Sequence, residues 1–547
     1  MKRIIIIVLG VLTLGGMFSF TFYDDNYFEI SRNLNIFATL YRELNTHYVD
    51  DLPNEEIVTT GIDAMLKSLD PYTDYIPESE LESYRTTTTG EYGGIGAVVG
   101  KRNGVSTVLM PYVGFPAYNA GLRIGDEITH IDGQLLKDLS SDEISNLLKG
   151  QPGTELSLIV DRYGEPQPLV ITLVRDKIVI SNVPYYGMLN EDIGYILLSD
   201  FTTHASEETK KALVDLKSQG ASKIVLDLRD NPGGLLDEAI KVANVFIPKG
   251  KEVVKTKGKK ESWNKSYEAP NPSTDEEIPL VVLTSSGTAS AAEIVSGVIQ
   301  DYDRGVLVGK RTYGKGLVQA TRPLPYNAQL KITTAKYYIP SGRCIQAIDY
   351  SLRNEDGSVG KIPDSLKVAF KTTNGRTVYD GGGINPDVPV DEKKFSHLLY
   401  NIVNNNFMFE YATMYRAKHP EIKGAREFSL TDEEYKEFVT WLEAKDLSFS
   451  SQIDEAINQL VELSKEEKYY EGLEASISEL KNKVSTIKKN YLVDYKDEVR
   501  NMLEEEIVSR YYFHQGLIEA ALDHDPIILE AEAVLNNPKR YNQILSN

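Results

Sequence analysis

The chain opens with a long apolar run. Lys2 and Arg3 precede an uncharged stretch at residues 4–23. About 20 apolar residues are enough to cross a bilayer, and residues 15–20 offer no small-residue site of the kind at which secretory signals are cleaved. Because the two cations favour the cytoplasmic side, residues 1–23 are predicted to be an uncleaved signal anchor, with a removed signal peptide as the alternative. The rest of the chain is then expected to be extracytoplasmic, in the periplasm, and tethered to the inner membrane.

The pattern next changes from helical to strand-like. Residues 24–88 carry apolar positions at helical spacing, as at Leu34, Phe37 and Leu40, and predict a small N-terminal helical segment. Residues 89–176 contain glycine-rich strand and turn patterns, which are typical of a separate compact unit of under about 100 residues.

Residues 177–395 alternate apolar strand-like runs with helical stretches. The run at residues 223–228 precedes one helical stretch, and the run at residues 280–283 precedes another that begins near Ser290. Such alternation predicts βα units and a sheet covered by helices. The stretch at residues 249–279, rich in lysine and then in proline and acidic residues, predicts a hairpin or a lid outside this core.

The last part of the chain is strongly helical and charged. Thr431 and Glu434 form a capping-box pattern, and Ile453 and Ile457 begin the apolar stripes of further helices. Residues 396–547 are therefore predicted to form a C-terminal helical domain, with a solvated bundle favoured over a partner-binding arm. A homo-oligomer or an adaptor contact through these helices is left open. The whole pattern predicts a multidomain protein that combines α/β and α+β parts.

The composition of the chain argues against several classes of function. The 547 residues include 59 Lys and Arg against 80 Asp and Glu, a formal net charge of −21, which argues against a nucleic-acid-binding surface. Cys344 is the one cysteine, so neither an intrachain disulfide nor a cysteine-rich metal centre is expected, and the seven histidines show no HExxH spacing. No metal or cofactor is predicted.

Two short segments carry residue types suited to nucleophilic catalysis. Ser290 lies between a glycine-containing turn and a helix start, where the helix dipole favours developing negative charge. Lys315, held between two glycines, can act as a general base if desolvation lowers its pKa, and Gln319 lies on the same face, where it could orient the lysine. Glu293, three residues after Ser290, is predicted to be structural support rather than the base. Taken singly, Ser290 is more typical of a helix cap and Lys315 of an exposed loop cation.

A third segment, at residues 227–235, combines a strand, a glycine turn and a helix start. Since open α/β sheets place ligands at the carboxyl ends of strands, this turn and the Ser290 turn are expected to share one crevice. The N–H group of Gly233 or Gly234, together with that of Ala291, could then form an oxyanion hole. A purely structural βα turn is the alternative, and a phosphate-binding loop is disfavoured because the GxxxxGK[ST] pattern is missing.

In this order, the three segments closely resemble the C-terminal processing peptidases, also called tail-specific proteases. The serine motif matches residues 288–294 and the lysine motif matches residues 312–319. Further matches lie at residues 229–234, 338–343 and 384–387.

The resemblance implies a crotonase- or ClpP-like α/β protease core at residues 177–395. It assigns a catalytic triad in which Ser290 is the nucleophile, Lys315 the general base and Gln319 the residue that orients the lysine. It assigns the oxyanion hole to the backbone N–H groups of Gly233, Gly234 and Ala291. Tyr313 and Cys344 are mild departures from the family's pattern and leave the predicted chemistry intact.

The same family carries an N-terminal peptide-binding module, and residues 90–97 and 120–128 resemble a bacterial-type PDZ domain. The resemblance places this domain at residues 89–176. A PDZ domain holds a free C-terminal carboxylate with loop N–H groups while the peptide pairs as an added strand. The residues expected to hold it are Gly93, Gly94, Ile95 and Gly96. Protein or peptide substrates with free, apolar C-termini are implied.

The predicted function is that of an extracytoplasmic serine endopeptidase. It would recognise protein C-terminal tails through the PDZ domain and hydrolyse peptide bonds with the Ser-Lys-Gln triad. A non-catalytic PDZ-based binding scaffold is the main alternative, although it leaves the triad without a role. Hydrolysis of small esters fits the nucleophile but leaves the PDZ domain without one.

Overall fold

The structure is a computed structural model that describes residues 25–350, 353, 359–391, 395–445 and 452–546. The signal anchor predicted at residues 1–23 lies outside these residues. Within the described part of the chain, no helix has both the length and the apolar character that a membrane span requires. The described residues divide into two compact units, one of residues 25–75 and 321–332 and the other of the described residues from 76–320 and 333–546.

The smaller unit is built on a helical hairpin. It contains helix α1 (Asp25–His47) and helix α2 (Asn54–Lys67). Asn54 Oδ1 accepts hydrogen bonds from Tyr41 OH and from Asn45 Nδ2, both at 3.0 Å, which hold the start of α2 to the end of α1. These helices lie where the apolar spacing predicts them.

A small antiparallel β domain follows strand β1 (Asp74–Ile76) and helix α3 (Leu81–Thr89). Its strands are β2 (Glu91–Gly94), β3 (Ala97–Arg102), β4 (Val105–Pro111), β5 (Glu127–Ile131), β6 (Gln134–Leu135), β7 (Glu155–Asp161), β8 (Leu169–Val174) and β9 (Asp176–Val179). Its helices are α4 (Pro116–Asn119) and α5 (Ser141–Leu148). The main sheet has the order β3-β4-β5-β7-β8, with β6 beside β5, while β2 and β9 pair where the chain enters and leaves the domain.

A six-stranded sheet, here called the core sheet, carries the alternating pattern of residues 177–395. Its strands are β10 (Tyr185–Met188), β11 (Ile193–Leu197), β12 (Lys223–Asp227), β15 (Leu280–Thr284), β16 (Val306–Gly309) and β21 (Val388–Pro389). They lie in that order, and all neighbours are parallel except β10, which is antiparallel to β11. The crossover helices are α6 (Ala205–Ser218), α7 (Leu236–Phe246) and α8 (Ala291–Asp301). This is the α/β core that the alternation predicts.

The excursion at residues 249–279 is a hairpin. Strands β13 (Glu252–Gly258) and β14 (Lys265–Glu268) pair antiparallel, and β13 also pairs with β18 (Gln329–Tyr338). Strand β17 (Leu317–Pro323) pairs with β18, and β19 (Ala369–Lys371) with β20 (Thr377–Tyr379).

The C-terminal part of the chain is helical, as predicted. Its first helices are α9 (His397–Asn404), α10 (Phe407–Lys418), α11 (Asp432–Glu443), α12 (Gln452–Glu466), α13 (Tyr470–Asp494) and α14 (Lys496–Ala521). Thr431 and Glu434 form the predicted capping box at the start of α11, because the Glu434 N–H donates to Thr431 Oγ1 at 3.2 Å and the Thr431 N–H donates to Glu434 Oε2 at 2.8 Å. Oligomerisation through these helices stays a prediction.

Two final helices, α15 (Pro526–Leu535) and α16 (Pro538–Ser546), cover one face of the core sheet. Successive strand residues point to opposite faces, so Val282 packs against α7 and α8 while Val281 packs against α15. The Leu280 N–H donates to Tyr541 OH at 3.0 Å, which ties α16 to the same strand. Helical periodicity predicts that these residues form helices, but it does not predict that they pack on this sheet. The structure shows that they do.

Candidate active site

Ser290 occupies the turn between strand β15 and helix α8. The strand ends at Thr284 and the helix begins at Ala291, so Ser290 is the residue from which the helix starts. Its φ of 54° lies in the left-handed region, which costs about 1–3 kcal/mol for a residue with a side chain. Strain of this size persists only where neighbouring contacts hold the residue, and such positions cluster at functional sites.

Lys315 lies in the loop between β16 and β17 and is held by two glycines. Gly314 has a φ of 90°, and a Cβ added to it would lie 2.4 Å from the Ala347 Cβ. The Gly316 N–H donates to Gln346 Oε1 at 2.7 Å, and a Cβ on Gly316 would lie 2.7 Å from the Gln346 nitrogen. Close contact with the neighbouring segment therefore requires both glycines, and Lys315 is half-buried between them.

The buried carboxylate of Glu293 joins the serine turn to the lysine loop. Its Oε2 accepts from the Ser290 N–H at 2.9 Å and from the Lys315 N–H at 2.8 Å. Its Oε1 accepts from the Gly314 N–H at 2.8 Å and from Thr312 Oγ1 at 2.5 Å. Because one oxygen atom bonds to both amides, the backbones of Ser290 and Lys315 are held side by side. Burial raises the pKa of Glu293 and the four hydrogen bonds oppose that rise, which suits the supporting role predicted for it.

A buried tyrosine braces the same two residues from the carbonyl side. Tyr337, on β18, is 1% exposed, and its hydroxyl lies 3.0 Å from the Ser290 carbonyl oxygen and also contacts the Lys315 carbonyl oxygen. The backbones of Ser290 and Lys315 are thus held at their N–H groups by Glu293 and at their C=O groups by Tyr337. Sequence reasoning missed Tyr337, whose one available sign is its place directly before the motif at residues 338–343.

Gln319 lies on β17, and its amide contacts the neighbouring strand. Its Nε2 donates to Thr333 Oγ1 of β18 at 3.2 Å. Its role in orienting Lys315 stays a prediction.

The turn after β12 packs directly against the serine. A Cβ added to Gly233 would lie 2.8 Å from both the Ser290 Cβ and the Ala291 nitrogen, so glycine is required there. The Gly233 N–H donates to Asn231 Oδ1 at 2.8 Å. The N–H groups of Gly234 and Ala291, by contrast, have no hydrogen-bond partner within the described residues. In this state, two of the three predicted donors are open to an oxyanion.

Two further contacts lock this turn to the serine turn. The Asp230 N–H donates to Ser285 Oγ, and that hydroxyl donates back to Asp230 Oδ1, both at 2.9 Å. The Ala289 N–H donates to the Asn231 carbonyl oxygen, also at 2.9 Å. Strands β12 and β15 are parallel neighbours, so their carboxyl ends bring the two turns together as the sequence predicts.

A second candidate site lies in the β domain, between β3 and α5. Its groove has a volume of about 60 Å³ and is lined mostly by the apolar side chains of Ile95, Ala97, Val99, Ile144 and Leu148. The N–H groups of Ile95 and Gly96 have no hydrogen-bond partner in the part of the chain that the structure describes, whereas Gly93 and Gly94 belong to strand β2. Open N–H groups beside an apolar groove suit a terminal carboxylate that follows an apolar side chain.

Comparison with known proteins shows that the segments containing these two sites each match a known family. The profile of peptidase family S41 matches residues 192–352, that of the PDZ domain matches residues 108–162, and one described as probable PDZ-protease, C-terminal helical domain, matches residues 398–535. The carboxy-terminal-processing protease of Bartonella bacilliformis is 36% identical over 353 residues, which are 63% of this chain and 81% of that protein. The chain belongs to the C-terminal processing peptidases of peptidase family S41.

This C-terminal processing peptidase is therefore a serine-type endopeptidase with a PDZ domain, which confirms the resemblance drawn from its motifs. The probable CtpA-like serine protease of Staphylococcus aureus strain N315 is 34% identical over 381 residues, which are 69% of this chain and 68% of that protein. Among solved structures, the photosystem II D1 C-terminal processing protease is 27% identical and covers 65% of this chain and 92% of its own, with a TM-score of 0.35.

The remaining family motifs hold the core of the peptidase together. Arg343 is 1% exposed, and its Nη2 donates to Asp301 Oδ1 at 2.9 Å. Asp387 accepts from Arg376 Nη1 at 2.6 Å and from the Leu307 N–H at 2.8 Å. These buried contacts fix the end of α8 and the start of β16, which are the elements that lead from Ser290 to Lys315.

Replacing Tyr337 by Phe removes one hydroxyl and keeps the ring. We expect kcat for peptide cleavage to fall about tenfold to a hundredfold, because a hydrogen bond lost at a buried site is worth about 1–3 kcal/mol and this hydroxyl holds the backbones of both Ser290 and Lys315. Steady-state cleavage of an unfolded reporter protein measures the change. Tyr338→Phe is the matched control one residue later, where the ring contacts Lys257, and it should keep the wild-type kcat. Equal kcat for Tyr337→Phe and the wild type would show that the hydroxyl bridge is dispensable.

Proposed function

We propose that this peptidase cleaves peptide bonds with a Ser-Lys-Gln triad in which Ser290 is the nucleophile, Lys315 the general base and Gln319 the residue that orients the lysine. The observation that supports it is the shared hydrogen bond of Glu293 Oε2 to the amides of Ser290 and Lys315. A nucleophile and a base must lie within reach of each other, and this bond brings their backbones together.

The proposed steps use side chains, backbone groups and water. Neutral Lys315 takes the Ser290 hydroxyl proton while the serine oxygen bonds to the peptide carbonyl carbon. The N–H groups of Gly234 and Ala291 stabilise the oxyanion, joined by that of Gly233 when it leaves Asn231. As the peptide C–N bond breaks, the lysine gives its proton to the leaving amine. Water, deprotonated by the lysine, then attacks the acyl carbon, and the lysine returns that proton to the Ser290 oxygen as the ester bond breaks.

The PDZ domain is proposed to recruit substrates by their free, apolar C-terminal residues. The open N–H groups of Ile95 and Gly96 suit the carboxylate, and the apolar groove beside them suits the last side chain. The small size of the groove, about 60 Å³, favours a compact apolar side chain over a large aromatic one.

Cleavage of an unfolded reporter with an apolar C-terminus tests the triad. With residues 24–547 as the enzyme, Ser290→Ala and Lys315→Ala should each lower kcat/KM by about a thousandfold or more, because nucleophile and base act as one unit. Lys310→Ala changes a cation at the end of the preceding strand and should leave cleavage at the wild-type rate. Wild-type turnover by either catalytic variant would refute the mechanism, and binding of tails without any cleavage would favour the scaffold alternative.

The chemistry of the substrate's terminus tests the PDZ proposal. The same reporter ending in a carboxamide, or in aspartate, should show a KM at least about tenfold higher than the reporter with a free apolar terminus, because the loop N–H groups and the groove lose their partners. The value of kcat should stay within about twofold. The same KM for all three reporters would show that the PDZ domain does not select substrates by their C-terminus.

The peptidase is further proposed to act outside the cytoplasm, tethered to the inner membrane. The support is the sequence of residues 1–23, in which two cations precede an apolar run. Alkaline phosphatase fused to the C-terminus should be active and a green fluorescent protein fused there through the same export route should be dark. The opposite pattern would place the enzyme in the cytoplasm, and the mass of the mature chain separates an anchor from a removed signal.

A further inference from the structure

Arg229 stands at the start of the oxyanion turn, the residues 229–234 that pack against Ser290. Its guanidinium lies between two carboxylates: Nη2 donates to Asp227 Oδ2 at 2.6 Å, and Nη1 donates to Asp525 Oδ2 at 2.5 Å. The Arg229 side chain is 19% exposed, so salt screens these pairs only weakly. Burial by itself would lower the pKa of Arg229, and the two carboxylates outweigh it and raise the pKa.

Asp227 fixes one side of this arginine to the sheet. It is the last residue of β12, is 1% exposed, and accepts at Oδ2 from Tyr195 OH of β11 at 2.7 Å. Its Oδ1 accepts from the Arg229 N–H at 2.9 Å. This half of the clamp belongs to the protease core.

Asp525 fixes the other side and comes from the C-terminal helical region. Its Oδ1 caps helix α15 by accepting from the N–H groups of Ile527 at 2.8 Å and Ile528 at 3.3 Å, which leaves Oδ2 for Arg229. Ile527 and Ile528 are each 2% exposed and pack against the core sheet. Asp525 is therefore held in place independently of the arginine that it contacts.

A displacement of Arg229 is transmitted to the oxyanion donors through the residues that follow it in the turn. Asp230 follows directly, with a φ of 56°, and is bonded to Ser285. The Asn231 side chain donates to the Leu198 carbonyl oxygen at 2.7 Å and accepts from the Gly233 N–H. A turn this tightly bonded moves as a unit, so a shift at its first residue displaces the N–H group of Gly234 as well.

We propose that Asp525 is a positioning residue that holds the oxyanion turn in place through Arg229, so that the C-terminal helical region completes the active site. The inference rests on the proposed function, since it takes the Gly234 and Ala291 N–H groups as the oxyanion donors.

Asp525→Asn is the decisive variant. The amide keeps an oxygen that caps α15 and removes the charge that faces Arg229. We expect kcat to fall at least tenfold with KM within about twofold, because misplaced oxyanion donors weaken binding of the transition state and leave binding of the substrate unchanged. Affinity for a peptide aldehyde, which forms a tetrahedral adduct with Ser290, should fall by a similar factor, while affinity of the PDZ domain for a tail peptide should not change.

Asp523→Asn is the matched control, because it removes the same charge two residues earlier from an exposed pair with Arg426. It should keep the wild-type kcat. Hydrogen exchange followed by mass spectrometry adds a readout that needs no activity: the peptide covering residues 228–236 should exchange at least about fivefold faster in Asp525→Asn and at the wild-type rate in Asp523→Asn.

Wild-type kcat and exchange in Asp525→Asn, or an equal loss in both variants, would overturn the proposal. If the wild-type enzyme does not cleave the reporter, it is the proposed function that fails, and the exchange rates alone then decide whether Asp525 holds the turn.

Discussion

One buried negative charge holds the two halves of the active site together. Removing a carboxylate from water is costly unless its oxygens are satisfied by hydrogen bonds, and Glu293 has four donors. Those donors come from the serine turn and from the lysine loop, which helix α8 and strand β16 separate along the chain. Neither segment can move without leaving part of the carboxylate unsatisfied. The approach of Ser290 to Lys315 is therefore enforced by a desolvation penalty, and Tyr337 adds a second contact on the carbonyl side.

Much of the architecture could be predicted from local pattern. The alternation of residues 177–395 predicts the βα core, and the glycine turns at the ends of β12 and β15 predict one shared crevice. The support role of Glu293 follows from its position one helical turn after Ser290. Its bonds to the lysine loop could not be predicted, because they depend on how a loop distant along the chain folds back over the helix start. The same holds for the Gly233 N–H, whose bond to Asn231 is set by the conformation of the turn.

The helices that cover the core sheet show a second feature that local sequence pattern does not predict. The unbroken apolar run at residues 280–283 indicates a strand buried on both faces, as is usual for parallel sheets. Helices α6 to α8 account for one face, and the pattern requires another layer without saying which segment supplies it. That information lies in packing between residues far apart along the chain, where Val281 meets α15. The clamp between Arg229 and Asp525 follows from the same packing.

The order of elements along the chain also constrains how the enzyme is made. The parallel strands begin at Ile193, and the helix that covers their second face begins at Pro526. Until translation passes Leu535, side chains such as Val281 lack the α15 helix to pack against. Arg229 also lacks one of its two carboxylate partners, Asp525. A nascent or truncated chain that ends before α15 therefore has an incomplete core and exposes apolar surface of the kind that chaperones bind.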